Sequence, residues 1–511
     1  MTAATIARFR SWEWLDERWA TPAILVGLTA LSLLLRTRIL NAGFWIDEGI
    51  SVGIAHHHWT SIPHVLKQDG SPPAYYMLLG LWIRVFGDGE RATHVLSLIF
   101  ALACIPLSYF AAKSIFNRTT GIVAAILMAL DPFLTYYAQE TRMYTMEAFL
   151  SLLVAWAYVQ GILRGSRWWC VGLTFSLAAL VYTHNWALFV CAGLAITTAV
   201  VARDRWKSFV AVAVGVTVLY APWLPTLWFQ VQHTGAPWST RPSFHDLILA
   251  PGAVISGDGP FMAVALVGGT GLAAYVRRRD DEDRRIILTL AYSVAFTVIL
   301  AWIASQITPA WTTRYFAVVV GALVILAARG LVTSGRLGLV ALVAVIFVWT
   351  GYSAHPDKEN ARQLATALLP GMHEGELVLT THPEQVPVLR YYFGPTARYA
   401  NTFGPVKDPQ VFDWVDAVSR LEATPAKPTE DALVKSVRVG ENFVVITPVF
   451  RDYRAWDAQW TKLVWQKAVI WTHLLETDPR LKQVNHVQTN EIADHLNFFK
   501  PLQGFVYRRV R

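Results

Sequence analysis

Charge is scarce in this 511-residue sequence. Only 16% of its residues are Asp, Glu, Lys or Arg, against about 25% in ordinary soluble domains. The shortage is uneven. Residues 1–350 hold long apolar runs split by short charged clusters, whereas 351–511 carry the scattered charge of a soluble domain. Cysteine is scarcer still. Cys104, Cys170 and Cys191 all sit inside apolar runs, which argues against a disulfide framework and against a thiolate metal centre. No small-residue cleavage site follows the first long apolar run, near Pro22, so that run reads as a retained segment and not as a signal peptide. Residues 353–511 contain no nucleotide-binding glycine loop. The net charge is +8, but the excess lies in short clusters between apolar runs. That is the pattern of cytoplasmic loops in a membrane protein, and it argues against nucleic acid as a partner.

What the sequence does have is hydrophobic runs long enough to cross a bilayer, which takes about 17–25 residues. They fall near 22–40, 92–112, 119–136, 144–162, 168–183, 186–202, 208–222, 260–276, 286–304, 315–329 and 337–352. Residues 72–86 are also apolar but short, opened by Pro72-Pro73 and carrying Arg84 near the end. Charge decides how this segment lies. If it rests on the outer surface, the clusters Lys113–Arg118, Arg164–Arg167, Arg203–Lys207, Arg277–Arg285 and Arg329–Arg336 all fall on the cytoplasmic side. Arg8, Arg10 and Arg18 join them. If it spans, those loops flip outward. It is therefore read as an interfacial helix. The expectation is a polytopic α-helical membrane domain over 1–352, with about eleven spans, whose first outer loop covers 41–91. A soluble α/β domain over 353–511 follows, outside the inner (plasma) membrane.

The outer loops then hold the unusual residues. The first opens with Gly43-Phe44-Trp45-Ile46-Asp47-Glu48-Gly49. Two carboxylates directly after a span are expensive unless solvated or paired. One reading is a helix-starting acid in an ordinary loop. The other is a general base that takes a proton from an attacking hydroxyl, with Asp47 the first candidate and Glu48 the second. Asp69 follows in an Asp-Gly-Ser-Pro-Pro turn. His56-His57-His58 looks superficially like a metal site, but consecutive helical residues point in different directions. A divalent cation at Asp47 and Glu48 is conceivable, although no complete ligand set is visible.

Further candidates for substrate binding lie at later span ends. Tyr137, Gln139, Glu140, Arg142 and Tyr144 cluster at one junction, His184 lies at another, and Arg314 with Tyr315 at a third. A guanidinium matches phosphate oxygens with paired donors, and it also snorkels to headgroups. The tyrosines equally suit an interfacial aromatic belt. Taken together, acids near 47 and 69 and arginines near 142 and 314 suit one reaction. A base activates a hydroxyl while cations stabilise a departing phosphate. The donor would be lipid-linked. The competing reading is a transporter or flippase of lipid-linked glycans, which would place ionisable residues at mid-membrane depth. A non-catalytic role in envelope assembly is a third.

In order along the chain, Phe44-Trp45-Ile46-Asp47-Glu48, then Asp69-Gly70-Ser71-Pro72-Pro73-Ala74-Tyr75-Tyr76, then Gln139-Glu140-Thr141-Arg142-Met143-Tyr144 and finally Thr313-Arg314-Tyr315 resemble a known set of motifs. They are similar to those of the bacterial branch of the dolichyl-phosphate-mannose–protein mannosyltransferase superfamily. Its relatives include protein O-mannosyltransferases and the aminoarabinose transferase acting on lipid A. The resemblance covers roughly residues 20–350. It implies a GT-C fold, an inverting displacement, a polyprenyl-phosphate-sugar donor (hexosyl or pentosyl) and surrounding membrane lipid. It implies Asp47 as catalytic base and Arg142 and Arg314 as ligands of the donor phosphate. The chain departs from protein O-mannosyltransferases in lacking a long central outer loop and in carrying Trp45-Ile46 before the acidic pair. The acceptor is therefore left open between an envelope glycolipid, a polysaccharide and a protein.

The tail patterns as helix at 358–369, strand at 376–380, helix at 386–392, strand at 443–447 and helix at 456–475. Its position beside the outer loops suggests a part in acceptor binding.

Overall fold

The computed structural model describes residues 19–278, 281–352, 358–449, 457–488 and 501–511. Arg8, Arg10 and Arg18 lie outside the described residues, as does the junction just after residue 352.

Every apolar run is helical. Six segments are long and apolar enough to cross a bilayer by length and composition: Glu90–Ile115, Tyr144–Leu163, Arg203–His233, Asp258–Arg278, Glu282–Ile307 and Thr313–Thr333. The other runs form the shorter helices Ala20–Arg36, Arg118–Leu130, Arg167–Thr183, Ala187–Val201 and Gly335–Thr350. The run at 119–136 is not one helix. Asp131 ends the first part and its side chain accepts from the amide of Phe133, opening the short helix Pro132–Tyr137. Pro132 has no amide to continue the upstream ladder. Large apolar side chains such as Val26, Leu34, Phe175 and Phe347 point outward, as lipid-facing positions do. The chain is a multi-pass membrane protein.

Inside the bundle, polar groups act as pins. Arg36 is fully buried and donates to the carbonyls of Ala101 (2.9 Å) and Met128 (2.6 Å), tying the first helix to the next two. Gly321 lies against the Ser151–Leu152 backbone, where any side chain would collide.

The loop between the helices Ala20–Arg36 and Glu90–Ile115, read from the sequence as the first outer loop, folds into the helices Ile46–His56, Ile62–Asp69 and Ala74–Phe86. The last has 13 residues, about 20 Å at 1.5 Å per residue, short of a roughly 30 Å hydrocarbon core. It packs on the Ile46–His56 helix, with Gly80 against the Ala55 carbonyl. Arg84 caps the contact through the carbonyls of Gly80 (2.6 Å) and His57 (3.1 Å).

The C-terminal part builds a six-stranded sheet in the order β3-β2-β1-β4-β6-β5. The strands are β1 Leu377–Thr380, β2 Arg398–Asn401, β3 Gly404–Pro405, β4 Asn442–Pro448, β5 Leu481–Gln488 and β6 Leu502–Arg509. β1 pairs in parallel with β2 and β4, and the remaining pairings are antiparallel. β1 is wholly buried, as a central parallel strand covered on both faces must be. Its two faces belong to different cores. Leu377 and Leu379 pack with Trp471 and Leu475 of the Gln459–Thr477 helix. Val378 packs with the helices Ala361–Leu368 and Val386–Phe393, and this second core also takes in Phe44 and Val52 of the first outer loop. The sheet domain and the loop therefore share one hydrophobic core.

That shared core demands close approach. A side chain at Gly49 or Gly53 would run into the Val388 backbone or the Gln410 carbonyl. Gly53→Val is expected to destabilise the protein by about 1–3 kcal/mol, the usual penalty of overpacking. A lowered thermal unfolding midpoint in detergent would show it, and an unchanged midpoint would contradict the tight docking.

Candidate active site

The site starts at the amino end of the Ile46–His56 helix. Trp45 is the N-cap residue and Glu48 returns to its amide at 3.2 Å. Acids in a first turn suit the positive end of the helix dipole. Successive helical residues point about 100° apart, so the adjacent carboxylates face different environments.

Glu48 turns inward and is fully buried. One oxygen accepts from His94 Nε2 (2.7 Å) and the amide of Thr141 (2.8 Å). The other accepts from Lys358 Nζ at 2.6 Å. Burial opposes its ionisation, but Lys358 and His94 outweigh it and hold the carboxyl at about 2. Its lone pairs are occupied, so it is placed to hold structure.

Asp47 turns the other way. Its Oδ2 lies 3.5 Å from Arg314 Nη2 and 3.8 Å from Arg142 Nη2. That oxygen is buried and accepts no hydrogen bond. A carboxylate oxygen ion-paired with two guanidiniums, yet accepting a hydrogen bond from neither, has a lone pair open to the proton of a third group.

Arg142 is set by the turn between the Pro132–Tyr137 and Tyr144–Tyr158 helices. It donates to Ser51 Oγ (3.0 Å) and the Asp47 carbonyl (3.3 Å), and lies 5.7 Å from the Tyr144 ring centroid. Arg314 projects from a 3₁₀ turn, Thr313–Val319, and sits 5.7 Å from the ring centroids of both Trp45 and Tyr315. Each guanidinium keeps a buried Nε with no hydrogen-bond partner. Asp69 joins the same pocket. Burial pushes its carboxyl up, against a hydrogen bond from Ser71, and it feels the charges of Arg142 and Asp47.

The remaining candidates form two shells. Tyr144 is buried with its ring 4.8 Å from Tyr137, and the His184 ring lies 4.6 Å from that of Tyr315, tilted by 52°, and stands 3.7 Å from Glu147. These line the pocket. Gln139 and Glu140 lie behind it. Gln139 accepts from the Ile39 amide (3.1 Å) and donates to the Thr135 carbonyl (2.9 Å), bracing one loop on another. Glu140 is buried near Lys358, and burial, opposed by that lysine, pushes its carboxyl up to about 7. The three histidines diverge: His56 meets Asp88 (3.1 Å), His57 meets Asp408 (2.8 Å) and His58 meets Thr60 (2.8 Å). Among the described residues, a cation-sized group of acidic ligand atoms occurs at Glu430, Asp431 and Asp478, where Lys427 and Arg480 already supply the positive charge.

Sequence reasoning missed His94, Ser51 and Lys358. His94 carried a signal, as an ionisable residue inside an apolar run. Lys358 carried none, since 310 residues separate it from Glu48.

Residues 70–229 match the model of the family described as dolichyl-phosphate-mannose-protein mannosyltransferase. That stretch includes Arg142 but neither Asp47 nor Arg314. No curated protein sequence matches the chain. Solved structures do. ArnT from Cupriavidus metallidurans in the apo state superposes with TM-score 0.63 at 13% identity, over 96% of this chain and 99% of that one. The same protein bound to undecaprenyl phosphate gives 0.60 at 13%, over 96% and 98%. The oligosaccharyltransferase AglB from the archaeon Archaeoglobus fulgidus, in complex with an inhibitory peptide and a dolichol-phosphate, gives 0.54 at 12%, over 86% and 70%. The chain has the GT-C fold.

Glu48 makes a prediction about acidity. Its carboxyl lies below the ordinary value of 4.5, so it stabilises the folded state fully above 4.5 and progressively less as pH falls toward 2. Glu48→Gln is expected to lose about 3 kcal/mol at pH 7, the usual result of breaking a buried ion pair. The difference from wild type in thermal midpoint should shrink below pH 4.5. A difference independent of pH would show that charge is not what Glu48 supplies.

Proposed function

We propose that this chain is an inverting glycosyltransferase that moves a sugar from a polyprenyl-phosphate-linked donor to a cell-envelope acceptor. The observation that carries the reading is the Asp47 carboxylate, set between Arg142 and Arg314 with a buried Oδ2 that accepts no hydrogen bond. Asp47 takes the proton of an acceptor hydroxyl as its oxygen attacks the anomeric carbon. The bond from that carbon to the phosphate oxygen breaks, and polyprenyl phosphate departs with the electron pair. Arg142 and Arg314 neutralise the charge that develops on it. Asp69, Tyr144 and Tyr315 orient the sugar, with Tyr137 and His184 supporting the aromatic wall. Glu48, Gln139 and Glu140 hold the loops that present these groups.

The family model over 70–229 supports this reading. So do the fold shared with ArnT, solved with undecaprenyl phosphate, and the likeness to the mycobacterial arabinofuranosyltransferase AftD. AftD superposes with TM-score 0.52 at 16% identity, over 95% of this chain and 41% of that one. The basic clusters between spans support an inner-membrane protein whose site and C-terminal domain, residues 353–511, face the extracytoplasmic side. A cavity of about 570 Å³ opens beside the contact of the Ile46–His56 helix with the sheet domain, and His56, Asp88, Glu90, Arg362, Arg390 and Tyr391 are among the residues that line it. Its mixed charge and aromatic rings suit the remote, polyhydroxylated part of an extended acceptor.

Asp47→Asn should lower turnover by about 10²–10⁴, the usual worth of a general base, while undecaprenyl phosphate still binds. Full activity in the purified variant contradicts the assignment. Arg142→Lys and Arg314→Lys keep charge but lose the paired donors, so each should weaken undecaprenyl phosphate binding; equal affinity in both would remove the phosphate site. Arg390→Ala should raise the acceptor KM and leave kcat unchanged, and a fall in kcat alone would exclude the cavity from acceptor binding.

A further inference from the structure

We infer that the C-terminal domain positions the base, and that Lys358 is the residue through which it does so. The inference rests on the transfer reading above, but its geometry is independent of the substrate. The first turn of a helix leaves backbone amides without partners in the helix itself. At the start of the helix that carries Asp47, two amides are held by residues of the C-terminal part and a third by Glu48. The Phe44 amide donates to the Tyr392 hydroxyl at 2.6 Å, and that hydroxyl donates to Glu90 at 3.0 Å. The Ile46 amide donates to Glu359 Oε1 at 3.4 Å. The Trp45 amide donates to Glu48 Oε2, the oxygen on which Lys358 Nζ sits at 2.6 Å.

Lys358 is nearly buried, with 8% of its side chain exposed, and meets a carboxylate that is wholly buried. It is one residue from Glu359, and its partner Glu48 is one residue from Asp47. A shift of this lysine therefore moves the turn that carries the base. Lys358 does not touch the pocket between Arg142 and Arg314. Its part is to position, and it does so without contacting substrate. Misplacing a reacting group by about 1 Å lowers rates about 100-fold, whereas Arg142 and Arg314 project from other elements and still present their guanidiniums to a phosphate.

The test uses the full chain in three measurements. Amide exchange over residues 44–49 is read by mass spectrometry, undecaprenyl phosphate binding is read on purified protein, and sugar addition is read as the envelope-glycan residue that gene deletion removes and expression restores. Lys358→Met should speed exchange at 44–49, lower sugar addition about 100-fold and leave undecaprenyl phosphate affinity unchanged. Lys358→Arg, which keeps the charge, should restore most of the addition. Tyr392→Phe removes one hydroxyl from the same clamp and should give a smaller loss with the same unchanged affinity. It decides the matter if Lys358→Met does not fold. The inference is overturned if Lys358→Met adds sugar at the wild-type rate, if phosphate affinity falls in step with addition, or if exchange at 44–49 does not change. A wild-type chain that restores no glycan overturns the transfer reading instead, and faster exchange in Lys358→Met then still upholds the clamp.

Discussion

A fully buried carboxylate must be neutralised, and in this protein that requirement fastens one end of the chain to the other. Glu48 has no access to water. An isolated ion there would be untenable. It is made tenable by His94 from a membrane helix, the Thr141 amide from the turn before the Tyr144–Tyr158 helix, and Lys358 from the start of the C-terminal part. Three distant segments converge on two oxygen atoms. Their convergence fixes the helix whose neighbouring residue, Asp47, is left facing the pocket. The shared core of Phe44 and Val52 with Val378, Val386 and Val388 makes the same connection through packing.

On the other side of that helix the electrostatics are deliberately incomplete. Asp47 offers one negative charge to two guanidiniums. With burial pushing the carboxyl of Asp69, in the same pocket, up toward its neutral form, two guanidiniums in a site partly shielded from water attract a further anion more strongly than the same groups would in bulk solvent. In the proposed reaction the donor's phosphate supplies that anion, and aromatic rings from Trp45, Tyr144 and Tyr315 lie beside the guanidiniums. The division of labour between adjacent acids follows from helix geometry alone: one is saturated and structural, the other unsatisfied and available.

Much of this was legible before any coordinates. Apolar runs marked the bundle helices, apart from the split at Asp131, and Asp47, Arg142 and Arg314, read at span ends, lie together in the structure. The central strands β1 and β4 showed as short apolar runs, and the Gln459–Thr477 helix showed by its periodicity. Other features left no local mark. β5 is almost entirely exposed, with residues such as Lys482, Gln483 and Asn485, so it has no hydrophobic alternation to read. The break at Asp131 depends on a capping bond beside a proline inside an apolar run. Lys358 looked like any surface lysine, because its meaning lies in a partner 310 residues away. Glu48 stood as the second candidate base beside Asp47, since a linear sequence does not show which of two neighbours turns inward.

The central claim is that Arg142 and Arg314 form the seat of a phosphate beside Asp47. A structure of the full chain with undecaprenyl phosphate tests this directly. The account predicts the phosphate group between the two guanidiniums, with the Asp47 carboxylate still free on the acceptor side. A phosphate bound elsewhere, with both arginines still turned only toward Asp47, would contradict it.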